Sequence, residues 1–303
     1  MKVAALDLGT NTFLLLVSEV EAGRVTKVLH DEARVVRLGQ DVNQTRRFHP
    51  DALARANECL KDYSSIIRSY GVERVLGCAT SAARDVENRE ALLKIGAEND
   101  IPIKIISGER EAELTFLGTI PDEMTTPIQI IDIGGGSTEF VLGDKSGIIS
   151  RMSLDIGSVR LTEKFISRHP IPADELEQLR NAIRLGLEDL ESLYNSVEMR
   201  PSEIPVIAVA GTATTLATID QGLPFESERV HGYRLSIERL DYWIERMAAM
   251  TIEERQKLAG MEPKRADVIV TGAMILRQSA AKIGVQSLEV SVRGLRYGIA
   301  RSL

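Results

Sequence analysis

Aromatic residues are scarce in this chain, at 4% of 303 residues with a single tryptophan. Proteins that hold single-stranded nucleic acid stack its bases on aromatic side chains, so that class is disfavoured. A positive excess is also missing: 37 Lys and Arg stand against 44 Asp and Glu, a net charge of −7. A broad nucleic-acid or anionic-membrane surface is therefore not expected, although a local basic pocket for a small anion still fits. Two cysteines, Cys59 and Cys78, are too few for a disulfide framework or a zinc pattern, and their apolar neighbours mark them as core residues. Four histidines are scattered without metal-ligand spacing, and only His231, in Val230-His231-Gly232-Tyr233, draws interest. No Gly-x-Ser-x-Gly or Cys/His pairing suggests a nucleophilic hydrolase. No apolar run approaches a membrane-spanning length, and the N-terminal stretch reads as a strand rather than a signal peptide. The expectation is a cytoplasmic, enzyme-like chain. At 303 residues and 44% apolar content, it is long enough for two domains with separate cores.

What is present is one short pattern written twice. Val3-Ala4-Ala5-Leu6-Asp7-Leu8-Gly9-Thr10-Asn11-Thr12 runs on into Phe13-Leu14-Leu15, and Ile130-Ile131-Asp132-Ile133-Gly134-Gly135-Gly136-Ser137-Thr138-Glu139 runs on into Phe140-Val141-Leu142. Each copy is an apolar run, an Asp, a turn of small and hydroxyl residues, and a second apolar run. The pattern predicts a β-hairpin whose turn carries little side-chain bulk. Bare backbone N–H groups there can face an oxyanion, with the Asp holding a cation nearby. One copy alone would read as a tight turn. Two copies in equivalent places predict two loops that grip one phosphate chain. Three successive glycines, Gly134, Gly135 and Gly136, exceed what a turn needs and fit close approach of a ligand.

Between the copies, strands are expected at 2–6, 12–20, 24–38, 74–78 and 103–106. Leu53, Ala56, Leu60, Tyr63 and Ile67 predict a helix after Pro50, a second helix is expected at 81–97, and Ser107 caps a third running to Gly118. The Pro- and acid-rich stretch 121–127 reads as a linker, giving domains at 1–121 and 122–303, with the last helix packing back on the first domain. In the second half, Leu176, Leu179, Ile183, Leu187 and Leu190 mark one amphipathic helix, and Ile237, Leu240, Ile244 and Met247 another. Thr251-Ile252-Glu253-Glu254 fits a capping box, residues 266–281 a buried helix, and 206–210 and 287–290 strands. Strand hairpins followed by alternating helices and strands, twice over, predict two α/β domains flanking a cleft.

Three further stretches carry chemistry. In Ser107-Gly108-Glu109-Arg110-Glu111-Ala112-Glu113, Glu109 reads as a first-turn acid complementing the helix dipole, whereas Glu111 shares a face with Thr115 and either points at the loops, where the helix lines the cleft, or is a surface acid. In Thr80-Ser81-Ala82-Ala83-Arg84-Asp85, Arg84 pairs with an acid or clamps a phosphate bidentately; both readings stand. Gly211-Thr212-Ala213-Thr214-Thr215 opens a helix after an apolar strand, a place suited to a distal phosphate. The acids near the loops, Asp7, Glu111, Asp132 and Glu139, are hard oxygen donors that suggest Mg²⁺.

Taken in order and spacing, these motifs, together with Val230-His231-Gly232, Arg265-Ala266-Asp267-Val268-Ile269 and Gly294-Leu295-Arg296, resemble the exopolyphosphatase/guanosine pentaphosphate phosphohydrolase family, in its short two-domain form. The resemblance covers essentially the whole chain. It implies two ribonuclease H-like domains of the actin-like ATPase superfamily. It also implies release of terminal phosphate from polyphosphate, or 5′-phosphohydrolysis of guanosine pentaphosphate (pppGpp). An actin-like-fold kinase and a non-catalytic polyphosphate or alarmone sensor are the remaining alternatives. Carried over by motif, Glu111 resembles the catalytic glutamate that activates water, assisted by Glu139. Asp7, Asp132 and Glu139 resemble the acids that hold Mg²⁺ or another divalent cation, with K⁺ a further candidate. Gly9, Thr10, Asn11, Thr12, Arg84, Gly134, Gly135, Gly136, Ser137, Thr138, Gly211, Thr212 and Thr214 resemble phosphate-binding positions. A homodimer is expected. The family's last motif commonly reads Gly-Leu-Arg-Glu-Gly, and here Tyr297 stands where that acid would be.

Overall fold

Alternation of apolar side chains along the first strand decides where the first candidate carboxylate points. The computed structural model describes residues 1–121 and 124–303. It divides into two units, Met1–Thr119 with Gly294–Leu303, and Ile120–Arg293. Asp122 and Glu123, part of the expected linker, lie outside the described residues.

Unit 1 contains β1 (Lys2–Leu8), β2 (Thr12–Glu21), β3 (Arg24–Val35), α1 (Val42–Thr45), α2 (Pro50–Ser69), β4 (Arg74–Ala79), α3 (Ser81–Asp85), α4 (Glu90–Glu98), β5 (Ile103–Ile105) and α5 (Gly108–Thr119), with a C-terminal helix, Leu295–Ser302. The sheet order is β3-β2-β1-β4-β5. β1 runs antiparallel to β2 and parallel to β4. Ala4, Leu6 and Leu8 pack with Phe13, Leu15, Leu60 and Tyr63 on one face of this sheet. Val3 and Ala5 pack with Leu16, Leu114, Leu295 and Ile299 on the other. Strand side chains alternate between faces, so Asp7 falls on the side of α5 and the C-terminal helix. That helix meets α5 backbone to backbone. A Cβ on Gly298 would lie 1.8 Å from Leu114 O, and one on Gly118 2.1 Å from Gly294 O. Arg296 grips Asp31 with Nε and Nη2, both at 2.8 Å, and the Tyr297 hydroxyl reaches the same carboxylate at 3.3 Å. Tyr297, at the departure from the family motif, therefore acts as a neutral donor to a carboxylate.

Unit 2 contains β6 (Ile128–Ile133), β7 (Thr138–Asp144), β8 (Gly147–Leu154), α6 (Ser158–Phe165), α7 (Ala173–Gly186), β9 (Val206–Val209), α8 (Ala210–Gln221), α9 (Ser227–Val230), β10 (Tyr233–Ser236), α10 (Ile237–Ala248), α11 (Ile252–Gln256), α12 (Ile269–Ile283) and β11 (Ser287–Val290). Its sheet runs β10-β11-β9-β6-β7-β8. Counted within each unit, both sheets place the first strand between the second and the fourth, antiparallel to one and parallel to the other. This repeated ribonuclease H-like order is the α/β fold class expected from the sequence. Ile131, Ile133, Phe140 and Leu142 form one face with α8, α10 and α12 behind them. Asp132, Glu139 and Ser153 follow each other across β6, β7 and β8 on the opposite face. The Thr251 capping box forms as expected, with Glu254 returning the bond.

Two expected helices are broken. Residues 81–97 form α3 and α4 rather than one helix, because tertiary bonds claim the residues between. The Glu87 amide donates to Arg46 O at 2.9 Å. The Asn88 side chain accepts from the Phe48 amide at 2.8 Å and donates to its carbonyl at 3.3 Å. Leu187 and Leu190 leave the expected amphipathic helix, since α7 ends at Gly186 and a 3₁₀ segment, Glu188–Tyr194, follows. A side chain at Gly186 would meet Ile156 Cγ2 at 2.5 Å. The buried helix expected at 266–281 starts at Ile269, after a 3₁₀ turn, Pro263–Arg265. Among the described residues no helix is long and apolar enough to cross a membrane.

The α5 contact gives a direct test. Gly298→Ala places a methyl group against the Leu114 backbone, which cannot rotate away, and should lower the stability of unit 1 by about 1–3 kcal/mol. The urea midpoint measures it, and an unchanged midpoint would contradict the packing.

Candidate functional site

The two repeated loops are built alike in atomic detail. In the first, the Gly9 amide donates to Thr12 O at 3.1 Å; in the second, the Gly134 amide donates to Ser137 O at 3.0 Å. A Cβ at Gly9 would stand 3.0 Å from Thr12 O, and one at Gly134 would stand 3.0 Å from Ser137 O. Both turns are therefore closed across the same i to i+3 pair, with a glycine where the carbonyl comes closest.

The carbonyls of each loop are tied from behind. In unit 1, Thr10 O accepts from the Gly39 amide at 2.8 Å, and Asn11 O accepts from the amides of Val36 and Arg37 at 3.0 and 2.9 Å. In unit 2, Gly134 O accepts from the Ser158 amide at 3.0 Å, and Gly135 O accepts from Val159 and Arg160 at 2.9 and 3.0 Å. Gly136 O accepts from Arg160 Nε at 2.7 Å. In a trans peptide the N–H points opposite to the C=O. The amides of Gly135, Gly136 and Ser137 thus face away from α6, as does the Asn11 amide from the 36–39 segment. Successive amides turned to one side form a concave site for an anion. Asn11, only 7% exposed, adds Nδ2, which has no hydrogen-bond partner among the described residues. A buried donor of that kind is costly unless a ligand or water satisfies it.

The acids divide by unit. In unit 1, Glu111 sits in the first turn of α5, buried, while Glu109 is exposed. Ser107 Oγ accepts from the Arg110 amide at 3.2 Å and caps the helix as expected. Of the two readings open for Arg84, the structure holds the acid pair. Its Nη1 donates to Glu111 Oε2 at 2.7 Å and to Ile106 O at 3.0 Å. Asp7 lies beside Cys78 on the same face. Burial first, and then the charge of Asp7, pushes the Cys78 thiol up to about 12, with Glu111 adding to it. In unit 2, Glu139 is fully buried, and its Oε1 accepts from Ser137 Oγ and Ser153 Oγ, both at 2.8 Å. Its carboxylate holds the end of the glycine loop in place. Asp132 is directly across from it on β6, nearer the surface.

Some expected phosphate positions use their hydroxyls internally. Thr138 Oγ1 donates to Ile156 O. Thr214 Oγ1 donates back to Ala210 O at 3.1 Å. Thr212 is buried against α12, where a Cβ on Gly272 would meet its Oγ1 at 2.6 Å. Thr10 packs on Gly39, and its Oγ1 accepts from the Ala82 amide at 3.3 Å. Thr12 is buried at the start of β2. α8 starts one residue before Gly211, at Ala210, whose φ of 66° is in the left-handed region. Gly211 has no room for a side chain because Arg265 Nη1 would lie 1.9 Å from its Cβ. Arg265 was legible only as part of a motif, and Arg160 was not singled out at all; both are arginines laid against glycine turns. His231 lies exposed at the end of α9. Among the described residues no three His, Cys, Asp or Glu side chains converge as metal ligands. Asp7 and Asp132 remain hard oxygen donors beside the two loops. That fits Mg²⁺, which keeps much of its water and takes one or two carboxylates.

Residues 16–303 match the sequence model of the Ppx/GppA phosphatase family. The chain is 38% identical to exopolyphosphatase 2 of Mycobacterium tuberculosis, over 100% of this chain and 98% of that one. Among solved structures, an exopolyphosphatase from Cytophaga hutchinsonii is 31% identical with a TM-score of 0.88, covering 100% of this chain and 97% of its own. A Ppx/GppA family member from Aquifex aeolicus is 28% identical with a TM-score of 0.78, covering 100% of this chain and 97% of its own.

Removing Arg84 leaves the Glu111 carboxylate buried without its guanidinium. Arg84→Ala should therefore cost about 1–3 kcal/mol of stability, and Arg84→Ala with Glu111→Gln should cost less than the two single changes added together. Urea unfolding of the four proteins measures the coupling, and strictly additive losses would contradict the pairing.

Proposed function

Because this chain belongs to the Ppx/GppA phosphatase family, we propose that it is an exopolyphosphatase, a phosphoanhydride hydrolase that releases inorganic phosphate from the end of a polyphosphate chain. The observation that carries the reading is the doubled loop with its carbonyls tied back and its amides turned out. A polyanion of identical repeating units is suited to recognition by backbone N–H groups, which need no base or sugar to read. The full-length likeness to exopolyphosphatase 2 supports the same reading.

In this reading each loop presents its amides to phosphate oxygens. In unit 2 the amides of Gly135, Gly136 and Ser137 hold phosphoryl oxygens, and in unit 1 Asn11 does so with its amide and Nδ2. Glu111 orients a water and takes its proton as the water oxygen bonds to phosphorus. The bridging P–O bond breaks in line, and its electron pair leaves on the shortened chain. Arg84, already beside Glu111, supplies positive charge to the phosphoryl oxygens. Asp7 in unit 1 and Asp132 in unit 2 are each a hard oxygen donor that would hold Mg²⁺, which would neutralise phosphate charge. Glu139 acts through Ser137, keeping the loop in shape. Catalysis of this kind is positioning and electrostatics, with no covalent nucleophile required.

Guanosine pentaphosphate ends in the same anhydride and is the natural comparator. Phosphate release should be faster from linear polyphosphate than from guanosine pentaphosphate under Mg²⁺; the reverse order would move the assignment to the nucleotide. Glu111→Gln should keep the fold and lower kcat by about 10²–10⁴-fold, the usual worth of a general base. Wild-type turnover in that variant would remove Glu111 from the role. Arg84→Ala should raise KM for polyphosphate, and an unchanged KM and kcat would leave Arg84 a purely structural partner of Glu111.

A further inference from the structure

Arg160 is absorbed by none of the roles above, yet it touches the backbone that the proposed reaction depends on. It belongs to the first turn of α6, which follows Gly157. Gly157 brings that turn onto the glycine loop. A Cβ there would stand 2.4 Å from both Gly135 O and Gly136 C. The α6 amides then take the loop carbonyls one after another: Ser158 to Gly134, and Val159 and Arg160 to Gly135. Gly136 O lies beyond the reach of that series. The side chain of Arg160 completes it, with Nε donating to Gly136 O at 2.7 Å.

The peptide unit that ends in Gly136 O begins the next residue with the Ser137 N–H. Holding the carbonyl therefore fixes the direction of that amide. Ser137 is already held by its hydroxyl on Glu139 Oε1 at 2.8 Å. Glycine at 136 gives this peptide no steric preference of its own, so without the guanidinium the plane is free to turn over. We propose that Arg160 is a positioning residue for phosphate binding and cleavage: its Nε–H locks the Gly136–Ser137 peptide with the Ser137 amide facing the phosphoryl group. The inference rests on the exopolyphosphatase reading for its reaction, and on the loop geometry alone for its effect on phosphate binding. Asp155, 87% exposed, stands 3.8 Å from Nη2 of Arg160, so screening by solvent leaves that pair weak.

The test compares wild type, Arg160→Ala, Arg160→Lys and Asp155→Asn, in the full chain with Mg²⁺. Two quantities are read: kcat/KM for phosphate release from polyphosphate, and the Kd of tripolyphosphate by calorimetry. Arg160→Ala should lose about 10²-fold in kcat/KM, the size found when one oxyanion donor is removed, and should bind tripolyphosphate more weakly. Added guanidinium ion should restore part of both, which a change confined to folding would not show. Lysine keeps the charge without the planar Nε donor, so Arg160→Lys should stay impaired. Asp155→Asn should stay within twofold of wild type. Wild-type behaviour in Arg160→Ala would overturn the proposal, as would full activity in Arg160→Lys should the alanine variant not fold. A loss in Asp155→Asn equal to that in Arg160→Ala would also overturn it. If the wild type releases no phosphate from polyphosphate, the exopolyphosphatase reading fails on its own, and the tripolyphosphate affinities still decide the role of Arg160.

Discussion

The direction of a few peptide planes carries this structure's chemistry. Each repeated loop could present either carbonyls or amides to a ligand, and carbonyls would repel a phosphate. Hydrogen bonds from behind settle the choice: residues 36–39 take the carbonyls of Thr10 and Asn11, and the first turn of α6 with Arg160 takes those of Gly134, Gly135 and Gly136. The donors that do this are mostly backbone amides, just past the end of β3 in unit 1 and in the first turn of α6 in unit 2. A helix start has amides to spare, and in unit 2 they are used on the protein's own loop rather than on a ligand. The anion-facing amides are a consequence one peptide bond away.

Around that constraint each sheet does a second job. Strand alternation sends Asp7 to the side of α5, the helix that bears Glu111, and sends Asp132 to the same side as Glu139. Charges are then balanced locally. Glu111 is paired with Arg84, whereas Glu139 receives two serine hydroxyls on one carboxylate oxygen. The contrast separates their roles. A carboxylate paired with an arginine can exchange partners when a phosphate arrives, whereas a fully buried one that holds two serine hydroxyls serves as a brace.

Much of this was legible in the sequence because it depends on local pattern. The apolar-Asp-small-residue repeat predicted both hairpins, and the resemblance of the whole motif series predicted the family. The capping box at Thr251 and the cap at Ser107 follow from residue type at fixed offsets. What stayed hidden depends on partners distant in the chain. Asn88 breaks a helix by bonding Phe48, forty residues away. The hydroxyl bonds of Thr138 to Ile156 O and of Thr214 to Ala210 O, and the packing of Thr212 on Gly272, have no signature in a string of letters. Arg160 went unnoticed because its partner is a carbonyl, and carbonyls leave no mark in a sequence. Gly157, which has no turn to make and only a close approach to permit, was the one available hint.

The central claim is that backbone amides of the doubled loop hold the terminal phosphate. Titrating the ¹⁵N-labelled protein with tripolyphosphate and Mg²⁺, and following the amide resonances of Asn11, Gly135, Gly136 and Ser137, tests it directly. The account predicts that these four amides move strongly downfield and saturate, as expected for N–H groups donating to a phosphate. Saturable binding that leaves them unmoved would contradict it.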